Sequence, residues 1–134
     1  MDDLYREEIL DHYEHPHHHG TVTGAHISLG DNNPSCGDRI SIDIKLSPDR
    51  ARIEDVAFIG DGCVISQAAT SLLMDTVVGM SLEDVERLDR QTVLDLLGVS
   101  LTPTRIKCAM LGLKVLQAGL YRYQAEQLSG THRA

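Results

Sequence analysis

The sequence predicts an α+β fold in which a three-stranded antiparallel sheet carries helices packed on one face. Residues 39–46 alternate apolar and polar side chains without a break, which is typical of a half-buried strand. A turn-forming segment at 47–50 follows, so the next strand, at about 51–59, is predicted to run antiparallel to the first. After residue 63 the apolar residues recur at helical spacing. Strands followed by helices are the order typical of α+β proteins.

The first predicted element is a short amphipathic helix at about 3–14. Its buried side is predicted to comprise Leu4, Tyr5, Ile9, Leu10 and Tyr13. The helix ends at the histidine-rich segment 15–20, because Pro16 disfavours helical backbone at the residue before it. Histidine side chains can bind metal, but consecutive side chains cannot all converge on one ion. We therefore interpret this segment as an exposed connector. A first strand is predicted at about 22–29, and the composition of 31–35 predicts a loop.

The remaining boundaries follow from local signals. A shift in apolar parity predicts a β-bulge at residues 54 and 55. An apolar stripe from Ile65 to Thr76 predicts the second helix, with Gly79 at its stop. Ser81 with Asp84 resembles a capping box for a short helix, and a further helix at 92–97 is predicted to end at residue 98. The final helix is predicted to start at residues 102 and 103, and it is apolar nearly all round from 108 to 120.

Length and composition favour one domain over residues 1–134, with an ordered core at about 3–127. The apolar fraction of 42% and the charged fraction of 24% are typical of soluble globular proteins. A formal charge of −8 argues against nucleic acid and against anionic membrane surfaces as partners. The acidic start, without a basic and apolar leader, predicts a cytoplasmic protein. An odd number of cysteines in a reducing compartment suits metal or redox chemistry better than disulfides.

Cys36, Cys63 and Cys108 are the three cysteines of the chain; glycine adjoins Cys36 and Cys63, and Pro103 lies five residues before Cys108. Those residues mark turns, so the thiols are predicted at loop tips or helix starts. With Asp38, one residue beyond Gly37, they offer four ligands, enough for tetrahedral zinc or most of an iron–sulfur site. The alternative is two packed thiols and one incidental surface thiol. Spacing alone leaves both interpretations open.

The neighbours of these residues also allow two interpretations. Cys63 is predicted at the start of the second helix, where unpaired amide groups favour an anion. Arg105 and Lys107 lie close to Cys108 in sequence and are predicted to support a thiolate, although solvated surface positions would explain them equally. Asp38 can alternatively cap its own loop. If all four ligands engage the metal, no open position remains for a hydrolytic water.

At these residues the chain resembles the U-type iron–sulfur cluster assembly proteins, the IscU/SufU/NifU N-terminal family. The resemblance rests on YREEILDHY at 5–13, NPSCGDRI at 33–40, GDGCVISQA at 60–68 and RIKCA at 105–109. It implies the SufU/IscU-like fold and a shared metal site formed by Cys36, Asp38, Cys63 and Cys108. It also implies a cysteine desulfurase of the SufS or IscS type as a partner, together with apo iron–sulfur proteins or other assembly factors.

The resemblance points to two branches of this family. Scaffold-type members have a histidine directly before the third cysteine, where this chain has Lys107. SufU members share the Arg-Ile-Lys-Cys ending and bind zinc, but they carry an insertion between the second and third cysteines. Only 44 residues separate Cys63 from Cys108 here, so the insertion is missing.

Three functions are therefore expected, in the following order of preference. The first is a SufU-like, Zn²⁺-dependent acceptor of persulfide sulfur at Cys36. The second is a scaffold that assembles and transfers a [2Fe–2S] cluster, with Cys108 as the first sulfur acceptor. The third is a structural zinc site in an interaction module. None of these requires small-molecule turnover by the protein itself, so its status as an enzyme stays open between a sulfurtransferase-like acceptor and a non-catalytic scaffold.

Overall fold

The computed structural model describes the backbone of residues 2–33 and 37–129 and the side chains of residues 7–33 and 37–128. One helix precedes the sheet and the other helices follow it. The elements are α1 (Asp2–Glu14), β1 (Ile27–Asn33), β2 (Asp38–Leu46), β3 (Ile53–Asp61), α2 (Val64–Val77), α3 (Leu82–Glu86), α4 (Arg90–Leu97) and α5 (Pro103–Ser129).

The three strands form one antiparallel sheet in the order β1-β2-β3. The predicted alternation of β2 is confirmed, because Ile40, Ile42, Ile44 and Leu46 are all buried on the helix-covered face. Lys45 pairs with Asp55 while Leu46 pairs with Ile53, which leaves residue 54 as the extra residue of a bulge. The predicted fold class and the predicted bulge are therefore confirmed.

The predicted boundaries of β1 are wrong. The strand starts at Ile27 instead of 22, and it continues to Asn33 through part of the predicted loop. Asp31 and Asn33 pair with Ile40 and Asp38 of β2, so pairing with a well-formed neighbour overrides the turn-like local composition. The rest of that predicted loop, at 34 and 35, lies outside the described residues.

The predicted caps and stops of the helices after the sheet are confirmed, although α4 begins at Arg90, two residues before the predicted start. The Asp84 N–H donates to the Ser81 hydroxyl at 3.1 Å, as a capping side chain should. Gly98 ends α4 with a φ of 69°, in the left-handed region that glycine adopts readily. The first turn of α5 is capped by Thr102, whose hydroxyl accepts from the Arg105 N–H at 3.4 Å.

The core lies between the sheet and helices α2 and α5, around the fully buried Phe58, Met74 and Leu116. The two helices approach closely at Gly112, where a Cβ would lie 2.5 Å from the Thr70 hydroxyl oxygen. The α5 segment predicted to be buried is buried, apart from single exposed positions such as Lys114. No helix in the described part of the chain is long and apolar enough to cross a membrane.

The buried side of α1 differs from the prediction. Leu10 and Tyr13, predicted to be buried, are 43% and 40% exposed. The predicted burial of Ile9 is confirmed. The helix also buries the polar His12, because it packs on α2, where the Ser71 hydroxyl lies within hydrogen-bond distance of the His12 imidazole. The predicted burial of Leu4 and Tyr5 concerns side chains outside those that the structure describes.

Candidate metal centre

Asp38 is held in a closely fitted position at the start of β2. The register places it beside Arg39, which pairs with Asp61 on β3, so the turn after β3 passes over the Asp38 side chain. That turn contains Gly62, with a φ of 145°, where a Cβ would lie 2.0 Å from the carboxylate oxygen of Asp38. Asp38 is only 1% exposed. Only glycine at position 62 therefore leaves room for this buried carboxylate.

Cys63 joins the same turn to α2 and contacts Asp38 twice. It is the N-cap residue of α2, with extended backbone. Its N–H donates to Oδ1 of Asp38 at 2.9 Å, and its Sγ donates to Oδ2 at 3.4 Å. The carboxylate thus accepts a hydrogen bond from one of the backbone N–H groups at a helix start.

Cys108 reaches this point from the second turn of α5, and it is 3% exposed. One ligand atom from each of Asp38, Cys63 and Cys108 lies within 4.8 Å of the others. A strand start, a helix cap and a separate helix thus bring together one carboxylate and two thiols that are distant in sequence.

This donor set fits zinc. Zn–S bonds of about 2.3 Å and Zn–O bonds of about 2.1 Å place the sulfur and oxygen atoms of a tetrahedral site about 3.6 Å apart. The Cys63 sulfur and the Asp38 oxygen are 3.4 Å apart, close to that spacing without rearrangement. Cysteine and aspartate are both established zinc ligands, so these side chains can hold the ion.

The other predicted site residues are placed less completely. Cys36 lies outside the described residues, so the four-ligand arrangement stays a prediction. Arg105 and Lys107 have exposed side chains in the first turns of α5. Lys107 borders a surface cavity that Arg90 and Lys114 also line. The predicted support of a thiolate by Arg105 and Lys107 remains a prediction.

The sequence interpretation missed Gln67, one turn after Cys63. Gln67 is 7% exposed, and its Nε2 has no hydrogen-bond partner among the residues that the structure describes. It borders a shallow pocket with Gly60, Gly62 and Tyr13, next to the metal-centre candidates. The sequence contains a pattern that could have identified Gln67, because an otherwise apolar helix carries the polar residues Ser66, Gln67, Thr70 and Ser71.

His12 is the second buried polar residue that the sequence interpretation missed. Its side chain is 6% exposed, and Nδ1 lies 2.7 Å from the Ser71 hydroxyl oxygen. Burial lowers the pKa of His12 below its ordinary value, and the neighbouring His17 lowers it further, against the opposing effect of Asp75. The net lowering of the pKa favours the neutral imidazole of His12.

The fold and the cluster define a class, that of small α+β domains with cysteines gathered at one end of an antiparallel sheet. The family model "NifU-like N terminal domain" matches residues 4–129, and the chain belongs to this family. The resemblance noted from the sequence is thereby confirmed.

Two relatives and one solved structure illustrate the membership. The chain is 36% identical to the "Zinc-dependent sulfurtransferase SufU" of Bacillus subtilis, with 90% of this chain and 91% of that protein covered. It is 37% identical to the "Iron-sulfur cluster assembly scaffold protein IscU" of Streptococcus pyogenes, covering 91% of this chain and 86% of that one. A crystal structure of a putative SufU scaffold protein from Fervidobacterium islandicum superimposes with a TM-score of 0.69 at 28% identity. The superposition covers 85% of this chain and 94% of that one. The expected family of iron–sulfur cluster assembly proteins is therefore confirmed.

Proposed function

We propose that this protein is a zinc-dependent sulfur acceptor in iron–sulfur cluster assembly, which takes persulfide sulfur from a cysteine desulfurase. The observation that carries the proposal is the convergence of the Asp38 carboxylate with the thiols of Cys63 and Cys108. In this proposal Cys36 supplies the third thiolate, and Asp38 is the fourth ligand. The SufU of Bacillus subtilis, a relative named as a zinc-dependent sulfurtransferase, supports it.

The choice of zinc depends on the fourth ligand. Lys107 precedes Cys108 directly, and a protonated lysine has no lone pair for a metal at neutral pH. Asp38 then remains the fourth ligand, and zinc accepts an oxygen ligand more readily than a reduced iron–sulfur cluster does. When bound, zinc would hold the thiols as thiolates and order their segments.

The proposed sulfur transfer occurs at Cys36. The Cys36 thiolate attacks the terminal sulfur of the desulfurase cysteine persulfide, forming one S–S bond while the S–S bond to the desulfurase breaks. The persulfide then resides on Cys36, and the desulfurase cysteine leaves as a thiolate, so no external oxidant or reductant is needed. The hydrogen bond from the Cys63 N–H to Asp38 keeps the rest of the site in place while Cys36 is engaged.

A scaffold that holds a [2Fe–2S] cluster is the second candidate, and the chain length favours it. The 44 residues between Cys63 and Cys108 lack the insertion of SufU, and IscU of Streptococcus pyogenes is equally similar to this chain. In this alternative the same four side chains hold the cluster, Cys108 is the first sulfur acceptor, and apo iron–sulfur proteins receive the product. Both candidates place the protein in the cytoplasm with a desulfurase as its partner.

The deciding experiment combines metal analysis with a desulfurase assay on protein purified without oxygen. We expect about one tightly held zinc per chain, because the four ligands leave a dication well retained. We also expect an increased rate of sulfur release by the desulfurase, and persulfide on Cys36 after a single turnover. Stable zinc with no persulfide and no effect on the desulfurase would instead identify a structural zinc module.

Lys107→His is the matched variant for the scaffold alternative, because imidazole is a good neutral fourth ligand. After anaerobic incubation with iron and sulfide, the variant should show more cluster absorption than the unmodified protein. If the unmodified protein already forms a stable [2Fe–2S] cluster, passes it to an apo-acceptor and leaves the desulfurase unstimulated, the sulfur-acceptor proposal is wrong.

A further inference from the structure

A second cluster of metal-binding side chains lies where the end of α1 meets α2. His12 comes from α1, His17 from the connector that follows it, and Asp75 from the last turn of α2. One ligand atom of each lies within 4.8 Å of the others. We propose that His12, His17 and Asp75 form a zinc-binding site separate from the cysteine cluster.

The chemistry of the three side chains matches zinc. Two imidazoles and one carboxylate are a ligand set that zinc accepts in proteins, with three protein ligands at the ion. His17 Nδ1 already lies 2.5 Å from the Asp75 carboxylate, and the rings of His12 and His17 have centroids 4.3 Å apart. Ligand atoms around tetrahedral zinc lie about 3.4 Å apart, so side-chain adjustments of about an ångström suffice.

The three side chains have partners that would orient them. Ser71 lies one turn before Asp75 on the same face of α2, and its hydroxyl contacts His12 Nδ1 at 2.7 Å and the His17 N–H at 2.8 Å. His18 Nε2 lies 3.1 Å from the second oxygen of Asp75. Such contacts from outside the ligand set fix ring orientation and carboxylate position in protein metal sites. His18 is thus a positioning residue in this proposal.

The connector is anchored to the sheet. The His18 carbonyl accepts from the Phe58 N–H at 2.8 Å, and the Gly20 N–H donates to the Phe58 carbonyl at 2.9 Å. His18 itself has a φ of 58°, a left-handed conformation that a non-glycine residue adopts when its surroundings hold it there. These bonds hold the histidines against α2. Consecutive histidine side chains of the segment 15–20 cannot all converge on one ion. This site does not require that, because His17 is its only ligand from the segment.

The site is accessible and distant from the cysteine cluster. The side chains of His17 and Asp75 are 46% and 41% exposed, so an ion can reach them from solvent. Cys63 and Asp75 are separated by most of α2, about 18 Å along the helix axis. An ion at one end would therefore not share ligands with an ion at the other.

The test is a zinc titration of the purified full-length protein with its tightly held metal in place, using isothermal calorimetry. We expect one further zinc per chain. His17→Gln and Asp75→Asn should each weaken this step by more than about tenfold, because changes outside the ligand set already weaken metal sites by about 10–100-fold. His15→Gln is the matched control, since it removes an exposed histidine of the same connector and should leave the affinity unchanged.

A second measurement locates the ion. Zinc should change the ring nitrogen resonances of His12 and His17 in NMR spectra, while those of His15 stay in place. Absence of further zinc binding would overturn the proposal, as would equal affinities of His17→Gln, Asp75→Asn and His15→Gln. In either case the cluster is a set of packing hydrogen bonds. The result is independent of the proposed sulfur transfer, because neither variant touches the cysteine cluster.

Discussion

Gly62→Ala tests whether the buried position of Asp38 depends on the missing side chain at residue 62. The added Cβ would lie 2.0 Å from Oδ1, 2.6 Å from Cγ and 2.9 Å from the backbone Cα of Asp38. Atoms cannot approach so closely, and the Cα cannot move away as a flexible side chain can. The carboxylate must therefore leave its place, and the hydrogen bond from the Cys63 N–H is lost.

The expected loss of stability in Gly62→Ala has two contributions. A left-handed backbone at alanine costs about 1–3 kcal/mol. Loss of a hydrogen bond to a charged acceptor costs about 1.5–3 kcal/mol more. Gly79→Ala separates these parts, because Gly79 has a φ of 87° and a Cβ there would meet nothing within 4 Å. Both variants should show the backbone cost, and only Gly62→Ala should show the second.

The assay is urea unfolding of the metal-free proteins, followed by zinc competition against a chelator. We expect Gly62→Ala to be less stable than Gly79→Ala by about 1.5–3 kcal/mol. Its zinc affinity should also fall, while that of Gly79→Ala stays near the value of the unmodified protein. Equal stability and equal zinc affinity in the two variants would refute the reasoning about Asp38.

Three further predictions concern other contacts. Asp38→Ala should leave zinc bound but exchanging faster with a chelator, since thiolate ligands remain; an unchanged exchange rate would make Asp38 only a loop cap. Gly112→Ala should lower the free energy of unfolding by about 1–3 kcal/mol, because its Cβ would press on Thr70. Chemical unfolding measures this change, and a variant as stable as the unmodified protein would contradict the prediction. His12 has a lowered pKa in the folded state, so the unfolded chain takes up its proton first. The metal-free protein should therefore lose stability as the pH falls below about 6.5, and His12→Gln should reduce that loss. If the free energy of unfolding depends on pH identically in the variant and the unmodified protein, the prediction is wrong.

The sequence predicted the parts of the fold that depend on local signals. The faultless alternation of β2, the capping residue Ser81 and the helix stop at Gly98 each depend on neighbours within a few residues, and each is confirmed. The bulge was predictable because a change of apolar parity within one strand requires an extra residue. The extent of β1 was not, since Asp31 and Asn33 have strand conformation only through pairing with β2.

The candidate site was predictable in composition but not in detail. The cysteines stood out by residue type, and Asp38 by the glycine that joins it to Cys36. The structure brings Asp38, Cys63 and Cys108 together, while Cys36 lies outside the described residues. The close contact between Gly62 and Asp38 joins two elements, and no local pattern encodes it. His12 lies at a helical position among charged residues, and its burial follows from where α1 docks on α2. Docking of this kind depends on contacts between residues distant in sequence, such as His12 and Ser71.

The two clusters lie at opposite ends of α2, and this placement matches the electrostatics of the helix. Aligned peptide dipoles give a helix a partial positive charge at its start and a partial negative charge at its end. α2 has no acidic residue in its first turn and no basic residue in its last. Groups from other elements lie at its ends instead: the Asp38 carboxylate accepts from the Cys63 N–H at the start, and His17 and His18 contact Asp75 in the last turn. The same helix therefore favours thiolates at one end and a cation at the other, without carrying a complementary charge of its own in either terminal turn.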